Sequence, residues 1–133
     1  MRVTLCALVL VLATAGCGTS DDRDQARGVV QRFYHSLEEG RGRDACTDLS
    51  AATVSQLESQ SGQRCARVIT RLELGGGDVA GTEVFITSAR VEVSSGDSAF
   101  LDREPTGWKL TAIGCKAEQG KPRDRPLECE VEA

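Results

Sequence analysis

Histidine is nearly absent from this chain. One stands among 133 residues, beside one tryptophan, one tyrosine, one methionine and three phenylalanines. A serine–histidine–acid triad needs its histidine next to a nucleophile. The sole candidate, His35, falls on the solvent side of an expected helix. Zinc sites draw on cysteine and histidine at short spacing. No C-x-x-C occurs, and His35 lies far from any ligand pattern. No phosphate-cradling glycine loop is present either, and the run LGGGD at 74–78 reads as a linker. No motif implies a cofactor. Basic charge is in the minority, 16 Lys and Arg against 20 Asp and Glu, for a formal net charge of −4. That balance argues against nucleic acid as a partner and against binding anionic lipid by charge. Long apolar runs are missing too. Leu5–Ala13, at about 1.5 Å per residue, is too short to cross a hydrocarbon core of roughly 30 Å.

That short run is nevertheless informative. Arg2 and the amino terminus precede it, and the small residues Thr14, Ala15 and Gly16 follow it. This is the layout of a secretory signal peptide. The next residue is Cys17, and TAGC, 14–17, resembles a bacterial lipobox, with Thr14 where that motif prefers leucine. The resemblance implies a signal peptide over 1–16, cut before Cys17, and a lipid on the Cys17 thiol. Two or more acyl chains hold a protein durably on a membrane. The expected location is therefore the extracytoplasmic face of the cell membrane, with residues 17–25 as a hydrated tether and 26–133 as one domain. The competing readings are a plain secreted protein with a chance cysteine, or a transmembrane anchor. Loss of Arg2 with the leader makes the mature chain slightly more acidic. Arginine outnumbers lysine and glycine is frequent (14 residues), a composition associated with GC-rich genomes and, among lipoprotein makers, with actinobacteria.

Cysteine usage agrees with export. Beyond Cys6 and Cys17, four remain: Cys46, Cys65, Cys115 and Cys129. An even number in a small exported domain reads as two disulfides. Of three connectivities the sequence-local one, Cys46–Cys65 and Cys115–Cys129, is preferred, because each pair brackets a connection between neighbouring elements. A bridge of this span contributes about 3 kcal/mol, largely by restricting the unfolded chain.

Hydrophobic periodicity divides the chain in two. Ala26, Val29, Val30, Phe33, Tyr34 and Leu37 form one helical stripe, with Asp24 as expected cap and Gly40 as expected left-handed terminator. A short helix follows with Ala45, Cys46 and Leu49, then another capped by Ser50. Cys65, Val68, Ile69 and Leu72 predict a further helix over 64–74. From Thr82 the period becomes two. EVFITSARVEV, 83–93, reads as one strand with Phe85, Thr87, Ala89, Val91 and Val93 on one face. SAFLDR (98–103) and WKLTAIGC (108–115) read as further strands, the latter with Trp108, Leu110 and Ala112 on one face. LECEVEA, 127–133, reads as an edge strand with Leu127, Cys129 and Val131 inward and glutamates outward. Helices first and an antiparallel sheet after is an α+β pattern.

The segment VVQRFYHSLEEGRGRDACTDLS, 29–50, resembles the opening of the nuclear transport factor 2-like, or ketosteroid isomerase-like, superfamily: a helix with an aromatic pair, then L-x-x-G, then a short helix. With GWKLTAIGC and LECEVE the whole pattern is similar to small actinobacterial lipoproteins of that superfamily. The resemblance implies N-terminal helices packed in a curved antiparallel sheet, an NTF2-like or cystatin-like cone. Phe33, Tyr34, Phe100 and Trp108 are the candidates for lining its cavity. Isomerases of this fold need a tyrosine on the first helix and a carboxylate base. Phe33 holds the tyrosine position, Tyr34 lies about 100° further around the helix, and Glu58 is the only carboxylate near the base position. A dehydratase would use a buried His–Asp pair, and His35 is on the wrong face. No catalytic residue is carried over. The adjacent Glu38 and Glu39 diverge on a helix and read as a solvated face. The function expected is non-catalytic binding of a small apolar ligand, a lipid or an envelope protein. The alternatives are an isomerase-like or dehydratase-like enzyme, and an accessory subunit of an envelope complex, including a homodimer through the sheet.

Overall fold

The computed structural model describes residues 19–116 and 128–133. The leader, Cys17 and Leu127 lie outside the described residues. Four helices, α1 (Thr19–Glu38), α2 (Gly42–Asp48), α3 (Ala51–Ser61) and α4 (Cys65–Val68), come first, and a 3-10 turn (Ile69–Arg71) closes them. Five strands follow: β1 (Val79–Val84), β2 (Ser88–Val93), β3 (Ser98–Glu104), β4 (Gly107–Cys115) and β5 (Val131–Glu132). They form one antiparallel sheet in the order β1-β2-β3-β4-β5. The α+β class expected from periodicity is the class observed.

Ala26, Val29, Val30, Phe33 and Tyr34 are buried along α1, and they meet Ala89, Val91 and Val93 of β2, Ala99 and Leu101 of β3, and Trp108, Leu110 and Ile113 of β4 in one core. α1 starts earlier than expected. Asp24 lies inside it, and Asp21 and Asp22 occupy its first turn, where carboxylates meet the positive end of the helix dipole. Residues 19–25, expected as tether, are thus continuous with the domain, and Asp22 pairs with Arg103 of β3. At the other end Gly40, at φ 69°, terminates α1 as expected. The Arg41 N–H donates to Ser36 O and the Gly40 N–H to Leu37 O, at 2.7 and 3.0 Å, the paired bonds of a Schellman motif.

The helices α2 and α4 touch closely. A Cβ on Gly42 would meet Ala66 O, so only glycine fits there. One turn on, Cys46 is bonded to Cys65, and Cys115 is bonded to Cys129. This is the sequence-local pairing. The helix expected over 64–74 is shorter. After Val68 the backbone tightens into the 3-10 turn, and Leu72 is extended (φ −70°, ψ 139°).

The largest departure is in the sheet. Residues 83–93 are not one strand but the end of β1, a hairpin turn at 85–87, and β2. The Phe85 N–H donates to Ser88 O at 2.8 Å and closes the turn. No glycine, asparagine, aspartate or proline marks it, which is why alternation alone ran through it. Phe85 and Thr87 therefore do not join the inward face. β4 also departs from simple alternation. Leu101 faces Leu110, but Phe100 faces Ala112, so Thr111 is an extra residue. Ile113 takes the core position, and Ala112 leaves the face of Trp108 and Leu110.

This bulge is pinned from outside the sheet. Ser50 caps α3, its side chain accepting from the Thr53 N–H, and its own N–H donates to Leu110 O at 2.8 Å. The buried Thr53 hydroxyl lies 3.1 Å from Leu110 O and 3.2 Å from Thr111 O. Leu110 O also accepts the Ser50 N–H and Thr111 O the Ala133 N–H, so we expect Thr53→Val to remove the hydroxyl's bonds without stranding either carbonyl and to cost about 0.5–1.5 kcal/mol. A urea melt followed by the fluorescence of Trp108 measures it; a melt unchanged from the parent chain would show that α3 does not hold the bulge.

Candidate functional site

Four aromatics are expected at a cavity; the rings of Phe33 and Tyr34 meet edge to face at 5.2 Å, but the four do not line one cavity. Phe33 (0% exposed) and Trp108 (4%) are core residues. Phe100 is half-buried between Ala99 and Leu101, both of which face the core, so it points to the other side of the sheet. Tyr34 alone of the four lines a cleft of about 380 Å³ between the C-terminal half of α1 and the chain leading into β1. Leu37, Ile69, Leu72 and Leu74 give that cleft apolar walls, and Glu38 and Thr70 stand at it as polar groups.

Gly76 and Gly77 of the run expected as a linker form one rim of the cleft, and side chains along the run would be crowded. A Cβ on Gly76 would press on the Tyr34 ring at 3.3 Å, and one on Gly75 would meet Asp97 Oδ2 at 2.5 Å. Gly77 sits at φ 107°, a conformation closed to residues with side chains. Asp97, in the β2–β3 turn, is 3% exposed and accepts the Gly75 N–H at 3.0 Å. A buried carboxylate thus stands close enough to Tyr34 to act on it electrostatically. Sequence reasoning missed Asp97, because SSGD at 94–97 has the composition of an ordinary turn.

The Tyr34 hydroxyl is buried and has no hydrogen-bond partner among the described residues. Burial and then the negative charge of Asp97 push its pKa up to about 12 from the usual 10.0. It is a neutral phenol at physiological pH, able to donate a hydrogen bond and unsuited to act as a base. A hydroxyl left unpaired in this way costs about 1–3 kcal/mol, which an acceptor brought to it would recover.

The other polar candidates have structural partners. Glu58, nearest to the position of a family base, accepts the Cys65 N–H at 2.8 Å and so caps α4. The His35 side chain is 61% exposed and lies 3.4 Å from Glu39, away from the core as expected. Glu38 and Glu39 are both exposed. The Trp108 indole N–H is buried without a partner among the described residues, and the Arg103 guanidinium lies 5.0 Å from its ring centre. Among the described residues no cluster of three or more His, Cys, Asp or Glu could hold a metal ion, and no helix is long and apolar enough to cross a membrane.

No family model matches the chain, and neither a curated protein nor a solved structure matches it.

Because Tyr34 is the sole tyrosine, tyrosinate absorbance reports it without interference. The titration should have its midpoint at about 12. Asp97→Asn should lower it but leave it above 10.0, since burial is the larger cause. In the unfolded chain the phenol ionises near 10.0, while the folded chain holds its proton to about 12. This group therefore leaves stability unchanged below pH 10 and reduces it as pH rises from there through 12. A midpoint near 10.0 would place the hydroxyl in solvent.

Proposed function

We propose that this chain is an extracytoplasmic lipoprotein anchored through Cys17, and that its single domain is a non-catalytic binding and interaction module with a nuclear transport factor 2-like fold. The helices-then-sheet order supports the fold assignment. The two disulfides suit an oxidising compartment. The observation that carries the functional reading is the filled interior. Phe33, Leu101, Leu110 and Ile113 are fully buried in the core between α1 and the sheet. Recognition then falls to the surface. The cleft at Tyr34, walled by leucines, suits a small apolar ligand or an apolar side chain of an envelope protein, and a homodimer through the sheet is a third use.

One observation favours a second reading. A buried carboxylate, Asp97, lies close to Tyr34, and an isomerase of this superfamily would need such a pair. Its substrate would have to reach a hydroxyl that is shut off from solvent.

Mass spectrometry of the protein recovered from the membranes of its own host tests both parts. An N-terminal Cys17 carrying a diacylglyceryl group, with the other four cysteines oxidised, is the expected result. A chain cut elsewhere, or a Cys17 without lipid, would remove the anchor. Native spectra of residues 18–133 should then show either a retained apolar small molecule or a bare protein. The isomerase reading requires turnover of a 3-oxo steroid that Tyr34→Phe abolishes.

A further inference from the structure

The tip of the β1–β2 hairpin is the least explained feature of the fold. Phe85 is 59% exposed and Ile86 94%. Two-residue hairpin tips are normally built from glycine, asparagine or aspartate. A β-branched isoleucine there, with a phenylalanine beside it, contributes nothing to the core and turns its side chain to water.

The position of this tip is fixed by contacts. Gly76 packs on the Tyr34 ring, near the C-terminal end of α1. Further on, Val79–Thr82 line a groove with Arg23, Asp24 and Arg27, near its N-terminal end. β1 therefore runs back along α1. From Thr82 to Phe85 the strand direction carries the chain about 10 Å further, a distance comparable to the stretch of helix left between Arg23–Arg27 and Thr19. The ladder agrees. The Arg103 N–H donates to Thr87 O at 2.8 Å, while the Arg103 side chain pairs with Asp22 in the first turn of α1. Phe85 and Ile86 thus project at the end of the molecule where α1 begins. Cys17 is two residues before Thr19, and two residues span at most about 7 Å.

We infer that Phe85 and Ile86 insert into the lipid bilayer as a second membrane contact, so that the lipid on Cys17 and this hairpin tip together hold the domain in one orientation. The inference rests on the anchor reading above. A bilayer that holds Cys17 lies within reach of the tip by chain length alone. Side chains at that depth enter the headgroup and acyl boundary, where phenylalanine and isoleucine are stable and water is partly excluded. The neighbouring charges are of both signs, Asp21, Asp22 and Glu83 beside Arg23, Arg27 and Arg103, with Asp22 paired to Arg103, so the attraction rests on the apolar tip and not on anionic lipid. In the orientation that follows, the Ser94–Gly96 turn and the Tyr34 cleft lie at the opposite end and face away from the membrane: the Ser95 N–H donates to Gly76 O, and Gly76 lines that cleft.

Hydrogen exchange on vesicles tests this. The mature chain, which contains every described element, is coupled through the Cys17 thiol to a maleimide lipid in phosphatidylcholine vesicles. It is compared with the same chain free in solution and capped at that thiol. Chemical coupling supplies the tether whether or not cells attach a lipid, so a failure here is separate from a failure of the anchor reading. Amides at 85–87 should exchange about tenfold more slowly on vesicles, with those at 94–96 unchanged. The double variant Phe85→Ser, Ile86→Ser should keep the solution exchange pattern of the core and lose the vesicle-dependent protection. Equal exchange on vesicles and in solution, or protection that survives in the double variant, would overturn the inference and leave the tip to a protein partner.

Discussion

The burial of one stripe of α1 governs the rest of the molecule. Val30 and Phe33 are fully enclosed, and three strands supply what encloses them. Apolar burial stabilises by about 25 cal/mol per Å², and in a domain this small no second core shares the task. The sheet must therefore present a continuous apolar face to α1. The bulge at Thr111 serves that need: it lets Trp108, Leu110 and Ile113 all reach the core although strict alternation would turn Ile113 away. Thr53 and Ser50 then supply the hydrogen bonds that such an irregularity requires.

The remaining helices act as braces for this pair of layers. Gly42 allows α2 and α4 to touch, and Cys46–Cys65 fixes the contact covalently. Arg32 reaches from α1 to the buried Asp48 at the end of α2, at 2.9 Å. Cys115–Cys129 ties the last strand to β4 across the segment between them. Each bridge joins a buried cysteine, Cys65 or Cys115, to a less buried one, Cys46 or Cys129.

Function, on this reading, is distributed over the two ends of the molecule. At one end the glycine strap, Tyr34 and Asp97 frame a cleft whose phenol is held neutral by burial. At the other end the start of α1 and the apolar hairpin tip lie side by side. A domain anchored at the second end, as proposed, would present the first to whatever lies beyond the membrane surface.

Much of this was legible in the sequence, and the reason is locality. The α1 stripe, the Gly40 terminator, the Ser50 cap and the exposure of His35 depend on residues within a turn or two of one another. So did the order of helices before strands. The cysteine pairing was legible for the same reason, each bridge closing a short connection. Tertiary structure alone decided the rest. The hairpin at 85–87 contains none of the usual turn residues, and only pairing of β1 with β2 imposes it. Asp97 gains meaning only because folding brings a surface turn beside a helix far away in the chain, and Gly75 and Gly76 only because Asp97 and Tyr34 lie against them. Periodicity recorded which residues are buried; it held no information on which distant residues share a site, because that depends on contacts that exist only once the layers have closed.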